Sequence, residues 1–272
     1  MATHKHHFQL TALVLLVLCL LALLATGGCG GGGGGDAAAP LQGSIESHSI
    51  TSKVNGSTYP LRVYLPPASA GSRTLQPTVY ALDGDWWFTQ LVDIAEATSA
   101  RLIIVGIGNN ANRANDYVPP NSCTPGGGGH VGYLAFLRSE LIPYIERTVG
   151  GNPSRRALLG HSHGGSFVYY SLFADSPGTH PFSAYLTSDS SIGCMPATVD
   201  AWEAAYAANF AALPVRVHIS HTPFNTSDIA LAQRIRDRRY AQLVVGEQAY
   251  SGTHTGIIPA AFTDALGFAF AQ

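Results

Sequence analysis

The sequence predicts an α/β fold: a mostly parallel central sheet with helices on both faces and an antiparallel hairpin at its N-terminal end. Three observations carry this. Two segments of strand character, Ser44–Lys53 and Tyr59–Leu65, flank Asn55-Gly56, a pair favoured in hairpin turns. Leu102–Ile107 is an unbroken apolar run, as in a strand buried on both faces. From there on, short apolar runs alternate with stretches of helical spacing, the pattern of strands joined by helical crossovers.

In chain order, Thr78–Leu82 reads as a buried strand and Trp86–Ala97 as a helix. After the Leu102–Ile107 strand comes a long loop, residues 108–129, rich in Asn, Pro and Gly; loops of that length are usually functional. Val131–Val149 reads as a helix, Arg156–Leu159 as a strand and Ser166–Ala174 as a helix. Strands are then expected at Ala184–Thr187, Val215–Ser220 and Leu243–Gly246. The helices among them are expected at Ala201–Ala212, Ile229–Arg239 and Ile258–Ala271.

The first 28 residues do not belong to this pattern. His4-Lys5-His6-His7, the apolar run Leu10–Ala25 and small residues before Cys29 make a secretory signal. The run falls short of the ~20 residues that span a bilayer. Thr26-Gly27-Gly28-Cys29 has the form of a bacterial lipobox, with Thr26 in place of the commoner Leu, so Cys29 is the expected lipidation site. Gly30 to Gly35 can form no core and read as a tether. The expected organisation is therefore a lipoprotein signal at 1–28, a lipid-anchored tether at 29–40 and a single domain at 41–272. The protein is expected to be exported and held on a bacterial membrane through Cys29.

Composition narrows the function classes. A formal net charge of −2 excludes a basic nucleic-acid binder, and 46% hydrophobic residues exclude a disordered chain. Of the four cysteines, Cys19 lies in the leader and Cys29 at the anchor. Cys123 and Cys194 remain in an exported domain, where a disulfide between them is expected. The histidines show no zinc-motif spacing, and neither a metal nor a cofactor is expected.

The chemistry centres on Gly160-His161-Ser162-His163-Gly164, a G-x-S-x-G elbow between an expected strand and an expected helix. Such a turn exposes the Ser162 hydroxyl and needs small neighbours, which Gly164 and Gly165 supply. A serine needs a general base. His254, in the loop before the closing helix, suits the order Ser, acid, His of this architecture. His161 and His163 read as pocket walls or helix contacts. The developing oxyanion needs N–H donors, expected from the backbone of His163 and of Asp85 in Asp83-Gly84-Asp85. Trp86 and Trp87 read as core residues.

These motifs resemble the esterase D-like family of α/β hydrolases, which includes enterochelin-type esterases, feruloyl esterases and secreted mycolyltransferases. The matching stretches are Val79–Asp85, Leu141–Glu146, Leu158–Gly165 and Gly252–His254, within a likeness running from about Leu61 to the C-terminus. The resemblance implies an α/β-hydrolase fold, Ser162 as nucleophile, His254 as base, and the amides of Asp85 and His163 as oxyanion donors. One departure stands out: Ser188-Asp189-Ser190 occupies a place where the family often has Ser-Pro-Ser.

The acid is sought between Ser162 and His254, among Asp175, Asp189, Asp200, Glu203, Asp228, Asp237 and Glu247. Asp175 ends the elbow helix, and Asp200 starts a helix. Glu203 and Asp237 fall inside expected helices and read as solvated charges. Asp189 follows a strand earlier than the usual one. Asp228, after the Val215–Ser220 strand, is therefore the expected acid, with Glu247 as runner-up. The expected function is an exported serine esterase acting on a small-molecule carboxylic ester through an acyl-enzyme. The alternatives are an acyltransferase built from the same parts and a non-catalytic binding lipoprotein.

Overall fold

The computed structural model describes residues 41–271, apart from 110 and 122. The expected signal and tether, with Cys19 and Cys29, fall outside the described residues.

Eight strands form one sheet in the order β1-β2-β4-β3-β5-β6-β7-β8. They are β1 (Ser44–Thr51), β2 (Thr58–Leu65), β3 (Thr78–Ala81), β4 (Ile103–Ile107), β5 (Arg156–His161), β6 (Ala184–Ser188), β7 (Arg216–His221) and β8 (Val244–Ala249). β2 pairs antiparallel with both β1 and β4, and all later pairings are parallel. This is the expected α/β-hydrolase architecture. Asn55-Gly56 does lie in the β1–β2 turn, with Gly56 at φ 75°, a region that favours glycine. The connection is longer than a two-residue hairpin: Ser52 N–H donates to Ser57 O at 2.8 Å and Gly56 N–H to Ser52 O at 3.0 Å.

The helices are α1 (Gly84–Ala97), α2 (Arg113–Tyr117), α3 (His130–Phe136), α4 (Ile142–Thr148), α5 (His163–Phe173), α6 (Pro196–Asn209), α7 (Thr226–Arg238) and α8 (Ile258–Ala269). The helix expected over 131–149 is α3 and α4 joined through a π-helical turn, Leu137–Leu141. Pro143, in the first turn of α4, brings no N–H to the ladder, a local cause for the widened turn.

Alternating residues of each central strand feed two cores. Tyr80, Leu82, Leu158 and Tyr185 face one side, packed with Phe167, Leu172, Leu231 and Ile235 of α5 and α7. Val79, Ala81, Leu159 and Leu186 face the other, packed with Phe88 and Leu91 of α1 and Phe262 of α8. Each fully buried Phe or Leu contributes roughly 1.5–3 kcal/mol.

The topology also fixes where the ends of the domain lie. Ser44 pairs with Leu65, and Tyr64 pairs with Ile104 near the start of β4, so β1 begins at the edge where the parallel strands begin. At the other end, Phe270 O accepts from Arg155, just before β5, and Phe268 O from Arg216, the first residue of β7. Both ends therefore lie at the N-terminal edge of the sheet, and the loops after β3, β5, β6 and β7 gather at the opposite edge.

Candidate active site

Ser162 joins β5 to α5 with φ 58° and ψ −122°, a conformation that strains any residue with a side chain. Three backbone hydrogen bonds help to hold it there. Its N–H donates to Ser188 O at 3.0 Å, and its carbonyl accepts from Ser166 N–H and Ser191 N–H, each at 3.1 Å. Gly160 is required by contact. A Cβ on Gly160 would stand 2.4 Å from the Gly164 carbonyl, so β5 and α5 touch backbone to backbone. Beneath the elbow, Asp83 is buried and paired with Arg113 at 2.7 and 3.1 Å. The same guanidinium reaches His161 O at 3.4 Å, tying the loop after β4 to the elbow.

His254 donates its Nδ1–H to Asp189 Oδ2 at 2.6 Å. Its ring lies against the His161 ring, centroids 4.4 Å apart, beside the residue that precedes Ser162. About half of the His254 side chain is exposed, and its carboxylate partner is almost wholly buried. Asp189 follows β6 with φ 41°, its N–H donating to Ser220 O at 2.7 Å. Its second oxygen accepts from Thr222 N–H at 2.8 Å, Thr222 Oγ1 at 3.0 Å and Asn225 Nδ2 at 3.1 Å. Burial raises the Asp189 carboxyl, but the His254, Thr222 and Asn225 donors outweigh it and hold the group down at about 2. Burial, with His254 next to it, pushes His161 down to about 3 and keeps it neutral.

The expected acid is thus corrected: the carboxylate on His254 is Asp189, not Asp228 or Glu247. Asp228 is fully buried and accepts from Ser190 N–H at 2.7 Å, Tyr169 OH at 3.1 Å and Asn225 Nδ2 at 2.9 Å. Burial pushes it up to about 7. It braces the turn that carries Asp189. Glu247 is occupied by Arg236 and by His221 Nε2 at 3.1 Å. A chain-order rule could not separate loops after β6 from those after β7. The available signal was Asp189 itself, an ionisable group where the resembling family often has proline.

Other expected residues fall as follows. Asp85 and His163 lie in the first turns of α1 and α5, and Asp85 Oδ2 accepts the Asn109 N–H at 2.9 Å. His163 Nε2 is hydrogen-bonded to Thr124 Oγ1 at 2.8 Å. Cys123 and Cys194 form a disulfide. Trp87 packs on His161 and Phe262, whereas Trp86 departs from the core reading: it is 48% exposed, with Arg113 over its ring. Glu203 also departs. It is buried inside α6 and paired with Arg238 and Tyr240, so its charge is neutralised rather than solvated. Arg113, Thr124 and Ser191 were not singled out in the sequence. Ser191 Oγ lies 3.0 Å from Ser162 Oγ. A depression of about 300 Å³ on the Ser191 side is lined by Asp189, Ser191, Cys194, Thr222 and Phe224. Among the described residues, no three His, Cys, Asp or Glu side chains are grouped so as to hold a metal ion.

Comparison with known proteins adds to this geometry. A family model described as "Putative esterase" matches residues 52–204. The chain is 27% identical over 152 residues to the ferri-bacillibactin esterase BesA of Bacillus subtilis, covering 47% of this chain and 50% of that protein. It is 28% identical over 137 residues to the apo-salmochelin esterase of Escherichia coli O6:H1, covering 43% and 42%. These matches span about half the length of either relative or less. In structure the chain is similar to an IroE-like serine hydrolase from Shewanella oneidensis, with a TM-score of 0.72, 24% identity, and 82% of this chain and 79% of that one covered.

Proposed function

This chain belongs to that esterase family, and from this premise we propose that it is an exported serine esterase hydrolysing carboxylic esters through Ser162, His254 and Asp189. The observation that carries the reading is the 2.6 Å pair between His254 Nδ1 and Asp189 Oδ2 beside the strained elbow. It fixes the histidine tautomer. With the proton on Nδ1, Nε2 is the free base. Ser162 Oγ attacks the ester carbonyl carbon as His254 Nε2 takes its proton, and Asp189 stabilises the imidazolium. The oxyanion is met by the N–H groups of His163 and Asp85. Collapse breaks the bond to the alcohol oxygen, which leaves with the proton from His254. Water, activated by the same imidazole, then frees the acid and restores Ser162. A neutral His161 places no second positive charge beside the imidazolium.

The names of the two relatives make siderophore esters the first substrates to test, beside p-nitrophenyl esters of rising chain length and feruloyl esters. A fluorophosphonate is expected to label Ser162, and Ser162→Ala to lose both labelling and turnover. Unchanged hydrolysis by that variant overturns the serine-esterase reading. The lipobox carries the second part of the proposal, an anchor at Cys29. On expression in a bacterium the wild type is expected with the membranes, and Cys29→Ser is expected to release it or block processing.

A further inference from the structure

The Cys123–Cys194 bond joins two turns that reach the nucleophile from different sides. On one side Asn121 Oδ1 accepts the N–H of Cys123 and of Thr124, each at 2.9 Å, and Thr124 Oγ1 holds His163 Nε2 at 2.8 Å. On the other side Cys194 N–H donates to Ser191 O at 3.0 Å. Ser191 contacts Ser162 twice, N–H to carbonyl at 3.1 Å and hydroxyl to hydroxyl at 3.0 Å. Little regular structure supports either turn: Cys123 lies in the loop between α2 and α3, and Cys194 ends a three-residue 3₁₀ turn, Ile192–Cys194.

We propose that Ser191 is a positioning residue for the Ser162 hydroxyl, and that the Cys123–Cys194 bond keeps Ser191 and Thr124 in register with the nucleophile. The inference rests on the serine-esterase reading. In that chemistry the single Ser162 proton goes to His254, so the Ser162 oxygen accepts from Ser191 Oγ–H. Accepting that bond fixes the hydroxyl torsion and aims a free lone pair at the ester carbon. Ser191 acts through Ser162 and takes no proton from the substrate.

The test uses the full chain. Ser191→Ala is expected to lower kcat about 10- to 100-fold, the scale of a small misplacement of a reacting atom. KM is expected to stay within about twofold, because ground-state binding is untouched. Ser191→Thr, which keeps the hydroxyl, is expected to recover most of the loss, and Thr124→Val to lower kcat in the same direction. Dithiothreitol reduces the bond to two thiols as it closes to its own cyclic disulfide. That treatment is expected to lower wild-type kcat while near-ultraviolet circular dichroism stays native. Reduction of Ser191→Ala is expected to cost less than reduction of the wild type, since both act on one contact. A wild-type kcat in Ser191→Ala overturns the positioning role. An equal loss on reduction in both proteins overturns the coupling to the disulfide. Ser162→Ala separates the readings: if it is inactive while Ser191→Ala is unimpaired, only this inference fails. If it retains full turnover, the esterase reading fails with it. Should the reduced protein unfold, the Ser191 and Thr124 variants still decide the positioning role with the bond intact.

Discussion

The Asp189 carboxylate has each oxygen assigned: one to His254, the other to Thr222 and Asn225. Asp189→Asn keeps this shape but offers His254 Nδ1 an amide, so the wrong tautomer is no longer excluded. Its kcat is expected to fall on the order of 10⁴. Asp228→Asn leaves the His254 pair intact but weakens a buried acceptor of several donors. It is expected to cost ~1–3 kcal/mol in denaturant unfolding while changing kcat far less. A large loss of kcat in a folded Asp228→Asn, with Asp189→Asn near wild type, reverses the assignment. His161 sets a pH dependence of its own. Its folded value, about 3, lies below that of a free imidazole, ~6.5. Between these values the unfolded chain binds the proton and the folded chain does not, so stability is full above about pH 6.5 and is lost as pH falls toward 3. His161→Phe keeps a ring against Trp87 and His254 and is expected to flatten that limb of the unfolding midpoint against pH. An unchanged slope removes His161 as the source.

At the scale of elements, the site is a meeting of strand ends, and the closest meeting is β5 with α5. Gly160→Ala sets a methyl against the Gly164 carbonyl, backbone on both sides, with no flexible side chain to give way. Overpacking of this kind is expected to cost ~1–3 kcal/mol or more in thermal unfolding. A variant as stable as the wild type shows that the elbow can spread. The same elements show what was legible in the sequence. Apolar runs marked the strands, and Gly160-His161-Ser162-His163-Gly164 marked the nucleophile, because both signals are local. The helix starts were less legible: α1, α6 and α7 begin earlier than periodicity suggested, since their first turns carry Gly84, Pro196 and Thr226 rather than apolar spacing. The acid was illegible for a different reason. β6 and β7 both end in polar loops at one edge, and Asp189 and Asp228 stand one hydrogen-bonded turn apart through Ser190. Which of them meets His254 depends on a backbone torsion at Asp189 that spacing does not encode.

At the scale of the whole molecule, the disulfide links residues 71 apart in sequence, ahead of and beyond the nucleophile. By chain entropy such a closure stabilises the fold by about 4 kcal/mol. Cys123→Ser with Cys194→Ser is therefore expected to unfold at markedly lower denaturant concentration, and an unchanged midpoint shows that the loops are already ordered without the bond. The placement of the two ends has a practical outcome. The described chain begins and finishes at the edge of the sheet where the parallel strands start, and Ser162, His254 and Asp189 stand at the edge where they finish. A fusion partner, an affinity resin or a biosensor chip joined at either end of the described chain attaches at the edge opposite Ser162, His254 and Asp189. The proposed ester hydrolysis is thus expected to survive immobilisation of the protein through either end of the described chain, which turnover on a resin coupled at that end checks.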